Sequence, residues 1–265
     1  MTIAVIKYNK SDIPGFDGIR CYADSLISSV ANGSELTKRA MKILPLPVKS
    51  QLAVCMLKEG IPETSIGFTF AGNLNVALLT YNTLSFFCSN IQRGPEEGAV
   101  LPPSIRDVAA LCAQILYDYN LSYGEVNGNA ANTDILIFGY CFQEKRFKAF
   151  HVGPDVDAIE FRISIKDVDI CNIDYYAIGS GSKRLRQKVS DNGSFSYKLI
   201  KELIEENTGG VGGFYQRAWV SKGVIRLYAD STTTGPAVFS FCGFKTVFPL
   251  GKFHFVGLPM HISED

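Results

Sequence analysis

The alternation of apolar and polar positions divides the chain into strand-like and helix-like stretches in a definite order. Residues 2–8 (TIAVIKY) are apolar and β-branched, which predicts a strand. The polar stretch 9–18 (NKSDIPGFDG) has the Asp, Pro and Gly of a loop, and GIRCYADS at 18–25 reads as the returning strand of a hairpin. Polar residues 28–37 lead to MKILPLPV at 41–48, whose two prolines predict a strand that ends early. Residues 49–62 fit helix or loop equally, and SIGFTFA at 65–71 reads as a buried strand ending at Gly72.

The period then changes. Leu74, Ala77, Leu78, Tyr81, Leu84, Ser85 and Cys88 have helical spacing, and so do Ile105, Val108, Ala109, Cys112, Ile115, Leu116 and Tyr119. Two helices are predicted, at 73–91 and about 104–122. DILIFGYC (134–141) and RFKAFHV (146–152) predict a hairpin, and two further strands fall within 157–178. KRLRQKV, opened by Gly179-Ser180-Gly181-Ser182, reads as a short helix, and SYKLIKELIEE (196–206) as an amphipathic one. Strands close the chain at 214–220, 223–229, 237–242 and about 245–256. Strands, two helices, strands, two helices, strands is an α+β order. Two antiparallel sheets between two helix pairs, a four-layer αββα sandwich, would bury every apolar face. Nothing resembling a linker or repeat divides the chain, so a single domain over 1–265 is expected.

Composition narrows the function. With 46% hydrophobic residues, 265 residues suffice for a sizeable core. Lys plus Arg and Asp plus Glu each total 26, so no charge excess points to nucleic acid. The N-terminus carries Lys7 and no long apolar run, and no stretch reaches the roughly 20 residues of a membrane span, so neither secretion nor membrane insertion is expected. Seven scattered cysteines without a CxxC pair read as reduced thiols of a cytoplasmic protein. His151, His254 and His261 lack ligand spacing and read as structural. No metal or cofactor is expected, and TGGVGG at 208–213 is not a phosphate loop because no GK[ST] follows.

Several short elements resemble, in the right order, those of proteasome β-subunits and their simpler bacterial homologues, which are N-terminal-nucleophile hydrolases. They are Thr2 leading into a strand, Tyr22-Ala23-Asp24-Ser25, Lys42 before Ile43-Leu44-Pro45-Leu46, and Phe70-Ala71-Gly72 before a helix. ILIFGY at 135–140, Ala177 through Ser182, and Glu205 ahead of Thr208-Gly209-Gly210 complete the set. On residues alone, Asp24 also fits a turn, Lys42 a solvated strand edge and the Gly-Ser-Gly a helix cap.

The resemblance implies a threonine-type peptidase with Thr2 as nucleophile once Met1 is removed. The hydroxyl attacks an amide and the freed α-amine, with an ordinary pKa near 8, serves as base. Lys42, paired with Asp24, would favour the deprotonated hydroxyl; Gly72 would offer its N–H to the oxyanion; Ser180, Glu205 and Thr208 would support the amine. It further implies peptide or protein substrates, a homo-oligomeric ring and an ATP-dependent unfoldase as a partner. A non-catalytic structural relative and an amidohydrolase of small amides are the alternatives. One departure bears on geometry. Lys7 follows Thr2 by five places where the family has six, and a one-residue slip in a strand turns a side chain to the other face unless a bulge absorbs it.

Overall fold

A computed structural model describes residues 2–12, 16–28, 34–52, 63–93, 101–208, 210–228, 230–232, 238–241 and 244–245. The chain starts with strands β1 (Ala4–Asn9) and β2 (Gly18–Ala23), the short β3 (Ile27–Ser28) and β4 (Glu35–Thr37), then β5 (Ile43–Leu52) and β6 (Glu63–Gly72). Helix α1 (Leu74–Ser89), strand β7 (Ile91–Arg93) and helix α2 (Ile105–Asn127) follow, with a 3-10 turn at Gly128–Ala131. Strands β8 (Thr133–Cys141), β9 (Arg146–Pro154), β10 (Ile163–Val168) and β11 (Tyr176–Ile178) precede helices α3 (Ser182–Asn192) and α4 (Tyr197–Glu205). The last strands are β12 (Gln216–Ser221), β13 (Val224–Tyr228), β14 (Asp230–Thr232), β15 (Val238–Phe241) and β16 (Phe244–Lys245).

The fold is α+β. A five-stranded sheet has the order β11-β1-β2-β12-β13 and a six-stranded sheet the order β10-β9-β8-β6-β5-β7, beside small sheets β14-β15-β16 and β3-β4. Pairing is antiparallel except between β5 and β7. Strand β1 explains its own sequence. Ala4 and Ile6 face a core shared with Leu136, Phe138 and Ala149 of the six-stranded sheet, whereas Ile3 and Val5 face a second core with Leu199, Ile200 and Leu203 of α4. Burial on both faces is why TIAVI is continuously apolar rather than alternating. A third core joins α1 and α2 to the other face of the six-stranded sheet through Val76, Leu84, Ala109, Leu116, Phe68 and Phe70. Full burial of an aromatic such as Phe68 or Phe70 contributes about 1.5–3 kcal/mol.

Three expectations need correction. The strand at 41–48 does not end at its prolines but runs through Pro45 and Pro47 to Leu52. Over that stretch, among the described residues, β5 pairs only with β6, and both missing N–H groups point away from it, to the side where Tyr81 Oη donates to the Pro45 carbonyl at 2.6 Å. Polar residues 28–37 contain a strand, β4, paired with β3. Helix α2 runs past the expected end at about 122 to Asn127, where Leu121 and Val126 are exposed rather than part of the buried stripe. The strand expected at about 245–256 lies outside the described residues beyond Lys245, as do His254 and His261. Among the described residues no helix is long and apolar enough to cross a membrane.

Candidate active site

Lys42 ranks among the largest fully buried side chains, in the company of Phe68, Phe70 and Phe138, with 0% exposure. An ammonium so placed needs a partner for every proton. Its Nζ donates to Asp24 Oδ1 and to the Leu26 carbonyl, each at 2.7 Å, and to Thr2 Oγ1. Burial pushes the Lys42 amine below its ordinary range, and the adjacent Asp24 carboxylate opposes that shift.

Asp24 is fully buried and saturated. Oδ1 accepts from Thr2 Oγ1 at 2.5 Å and from the Ile3 N–H at 2.9 Å as well as from Lys42. Oδ2 accepts from the Leu26 and Gly212 N–H groups, both at 3.3 Å. Thr2, 4% exposed, therefore faces Lys42, and the five-place spacing to Lys7 has not turned it away. Lys7 itself pairs with Asp174 at 2.6 Å.

The Gly-Ser-Gly segment lies against the start of β1. The Thr2 N–H donates to Ser180 Oγ at 3.2 Å, and the Gly181 N–H to the Thr2 carbonyl at 3.2 Å. Gly179 has φ +88°, and a Cβ there would stand 2.3 Å from the Thr2 carbonyl oxygen. Gly72, at φ +111°, is equally constrained: a Cβ would come within 2.3 Å of the Asn132 carbonyl oxygen. It lies one residue before Asn73, the N-cap of α1, whose side chain accepts from the N–H groups of Asn75 and Val76.

The structure thus gathers Thr2, Asp24, Lys42, Ser180 and Gly72. It does not bring Glu205 or Thr208 to them. Glu205 is exposed at the end of α4, and Thr208 Oγ1 accepts from Arg184, whose guanidinium also holds Glu206. Neither makes a hydrogen bond to Thr2 among the described residues.

Sequence reading passed over Gln216. Its Nε2 donates to the carbonyls of Asp24 at 2.9 Å and Ala40 at 2.8 Å, and its Oε1 accepts from the Lys42 N–H at 3.0 Å. One side chain thereby ties β12 to the backbone of both charged residues. The signal was present: Gln216 shares the buried alternate positions of β12 with Ala218 and Val220. A polar residue in that set needs internal partners.

A cleft of about 480 Å³ opens beside Thr2, lined by Gly72, Asn132, Asp134, His151, Gly179 and Ser180 among others. A smaller one of about 230 Å³ adjoins Thr2 and Lys42. Among the described residues no three His, Cys, Asp or Glu side chains are grouped to hold a metal.

No family model and no curated protein matches the chain. Solved structures do. Anbu (ancestral beta-subunit) from Yersinia bercovieri is 16% identical with a TM-score of 0.54, over 83% of this chain and 82% of that one. An Anbu (Gly-1) mutant from Hyphomicrobium sp. strain MC1 is 13% identical with a TM-score of 0.54, over 91% and 88%. The helical assembly of the Anbu complex from Pseudomonas aeruginosa is 13% identical with a TM-score of 0.53, over 86% and 88%. At such identities the likeness is one of fold. It corrects the resemblance to proteasome β-subunits and their bacterial homologues. The matching structures are Anbu proteins, proteasome-like but a distinct family, and no family model or curated sequence supports a β-subunit. The motifs misled because Asp24, Lys42, Gly72 and Gly179 are positions that the geometry around Thr2 requires, so they mark the fold rather than one family within it.

Proposed function

We propose that this protein is an amide hydrolase whose nucleophile is the Thr2 hydroxyl, freed at the chain's start by removal of Met1. The observation that carries the reading is a fully buried lysine with one donor committed to Thr2 Oγ1. The Lys42 ammonium, donating to Oγ1, favours the deprotonated hydroxyl, and the freed Thr2 α-amine takes its proton as Oγ1 attacks the carbonyl carbon of the substrate. Asp24 balances the Lys42 charge throughout. The Gly72 N–H, beside the positive end of α1, stabilises the tetrahedral oxyanion. Collapse expels the amine with the proton held by the Thr2 α-amine, and water hydrolyses the ester left on Oγ1. Ser180 orients the α-amine; Glu205 and Thr208 take no part.

The same proposal includes a four-layer αββα sandwich in one domain over 1–265, to which the three separate cores lend support. It also includes assembly of many copies into a ring or helix, supported by the helical assembly named for the Pseudomonas structure. Peptides are the expected substrates, and an ATP-dependent unfoldase is needed only for folded ones.

The test pairs intact-protein mass with hydrolysis of short fluorogenic peptide amides. Loss of Met1 and measurable turnover are expected, with Thr2→Ala inactive and Thr2→Ser active. Turnover unchanged in Thr2→Ala overturns the reading. The 4% exposure of Thr2 favours a second reading, a non-catalytic assembly protein in which the same network is purely structural. Retention of Met1 with no turnover would select it.

A further inference from the structure

The core between the two large sheets turns polar at the end nearest Thr2. On β9, Phe147 and Ala149 face that core, and the next residue of the same face is His151. Its Nε2 lies 3.0 Å from Asp134 Oδ1 and its Nδ1 3.0 Å from Tyr176 Oη. The chain of bonds crosses from β8 and β9 of one sheet to β11 of the other. Burial, helped by the Asp134 charge and opposed by Arg186, raises the Tyr176 pKa, and the phenol hydroxyl is placed to donate to Nδ1. The imidazole then carries its proton on Nε2 and donates it to Asp134. Gly153 leaves room for this, since a Cβ there would stand 2.5 Å from Asp134 Oδ1.

Asp134 and His151 line the Thr2 cleft, and their side chains are 40% and 23% exposed. Among the described residues no lysine or arginine lines that cleft, and Asp134 forms no salt bridge to one. Lys166 lies at the tyrosine end, 5.6 Å over the Tyr176 ring. Lys42, the other cation near Thr2, is sealed against Asp24. Among the described residues, the cleft lining therefore holds an oriented carboxylate with no lysine or arginine beside it; Arg186 acts at the Tyr176 end.

We infer that Asp134, aimed by His151 and Tyr176, is the specificity residue of the Thr2 cleft and selects substrates bearing a cationic group, an ammonium or guanidinium. This rests on the amide-hydrolase reading for its substrate class. The partly exposed carboxylate oxygens receive the cation, while the His151 bond fixes their direction and spares the substrate the cost of ordering them.

The experiment uses fluorogenic dipeptide amides carrying lysine at either residue, against isosteres with norleucine. Wild type is expected to favour a lysine substrate by roughly tenfold in kcat/KM, and Asp134→Asn to remove most of that ratio. A wild-type ratio of one, or a ratio unmoved in Asp134→Asn, overturns the inference. Calorimetry on Thr2→Ala separates it from the nucleophile's role. If wild type hydrolyses nothing yet Thr2→Ala binds the lysine amide selectively, the Thr2 reading fails and the Asp134 inference stands. Turnover without charge preference is the converse. Should Asp134→Asn not fold, wild type must still bind butylamine more tightly than butanol, and equal binding overturns the proposal.

Discussion

The Asp24–Lys42–Thr2 cluster and the Asp134–His151–Tyr176 chain meet at one cleft, each with a carboxylate at one end and a hydroxyl at the other, yet their relations to water are opposite. In the first, Asp24 and Lys42 have no exposure, and both Asp24 oxygens and the Lys42 amine are committed to partners inside the protein. In the second, the carboxylate is 40% exposed and has one side-chain partner. A sealed charge pair survives only if its geometry is fixed in advance, which suits a cation that must stabilise charge on Thr2 Oγ1 without waiting for solvent. An open carboxylate keeps its hydration until a ligand replaces it, which suits recognition.

The largest effect that could break this contrast is Lys42→Met. It strands the Asp24 charge in the interior, so a loss of about 3–5 kcal/mol in denaturant unfolding is expected, together with a fall in peptide-amide turnover of about 10²–10⁴-fold. A change within about 0.5 kcal/mol would mean that the pair is not sealed in solution. The pH dependence sharpens the point. The folded Lys42 pKa lies below its ordinary 10.5, so between the two values the unfolded chain binds more protons and stability rises with pH. The advantage of wild type over Lys42→Met should therefore widen as pH climbs towards 10.5. Buried thiols that ionise only on unfolding, such as Cys88 with its pKa pushed up to about 12, are common to both proteins and cancel in the difference.

Next in size is Gly179→Ala. A left-handed backbone and a Cβ 2.3 Å from the Thr2 carbonyl predict a loss of about 1–3 kcal/mol, with turnover reduced about 100-fold by displacement of Thr2. Thermal unfolding and steady-state rates report the two separately; intact turnover would show that the Gly-Ser-Gly segment does not set the nucleophile's position. Tyr176→Phe should be the mildest. It removes one hydrogen bond from the open chain, so about 1 kcal/mol is expected, with a weakened preference for lysine substrates. A stability loss matching that of Lys42→Met would erase the distinction between the two clusters.

What could be read from the amino-acid sequence follows the range over which each signal acts. Helices α1, α2 and α4 were legible from apolar spacing along a single element, α3 from the Gly-Ser-Gly-Ser that opens it, and Thr2, Asp24, Lys42 and Gly72 from short ordered motifs. Two kinds of feature were not. Strand β5 passes through two prolines because, among the described residues, only one of its sides is paired there, and pairing is a property of the sheet rather than the strand. Asp134, His151 and Tyr176 come from three strands on two sheets, so no spacing joins them; a lone histidine read as structural. Glu205 and Thr208 failed in the other sense. A carboxylate ahead of Thr-Gly-Gly looks the same whether it faces the cleft or the solvent beyond α4, and Arg184 holds Thr208 on the outside.

The prolines of β5 have a consequence for how copies of this chain can touch. At Pro45 and Pro47 the open side of the strand has no N–H to offer, and Tyr81 already occupies the Pro45 carbonyl. A strand from another molecule arriving at this stretch would find too few partners to continue the sheet. Runaway sheet extension, the route by which exposed strands seed fibrils, is blocked here by the backbone itself. Copies joined in an ordered particle would meet somewhere other than this stretch, through contacts whose fit can limit how many assemble.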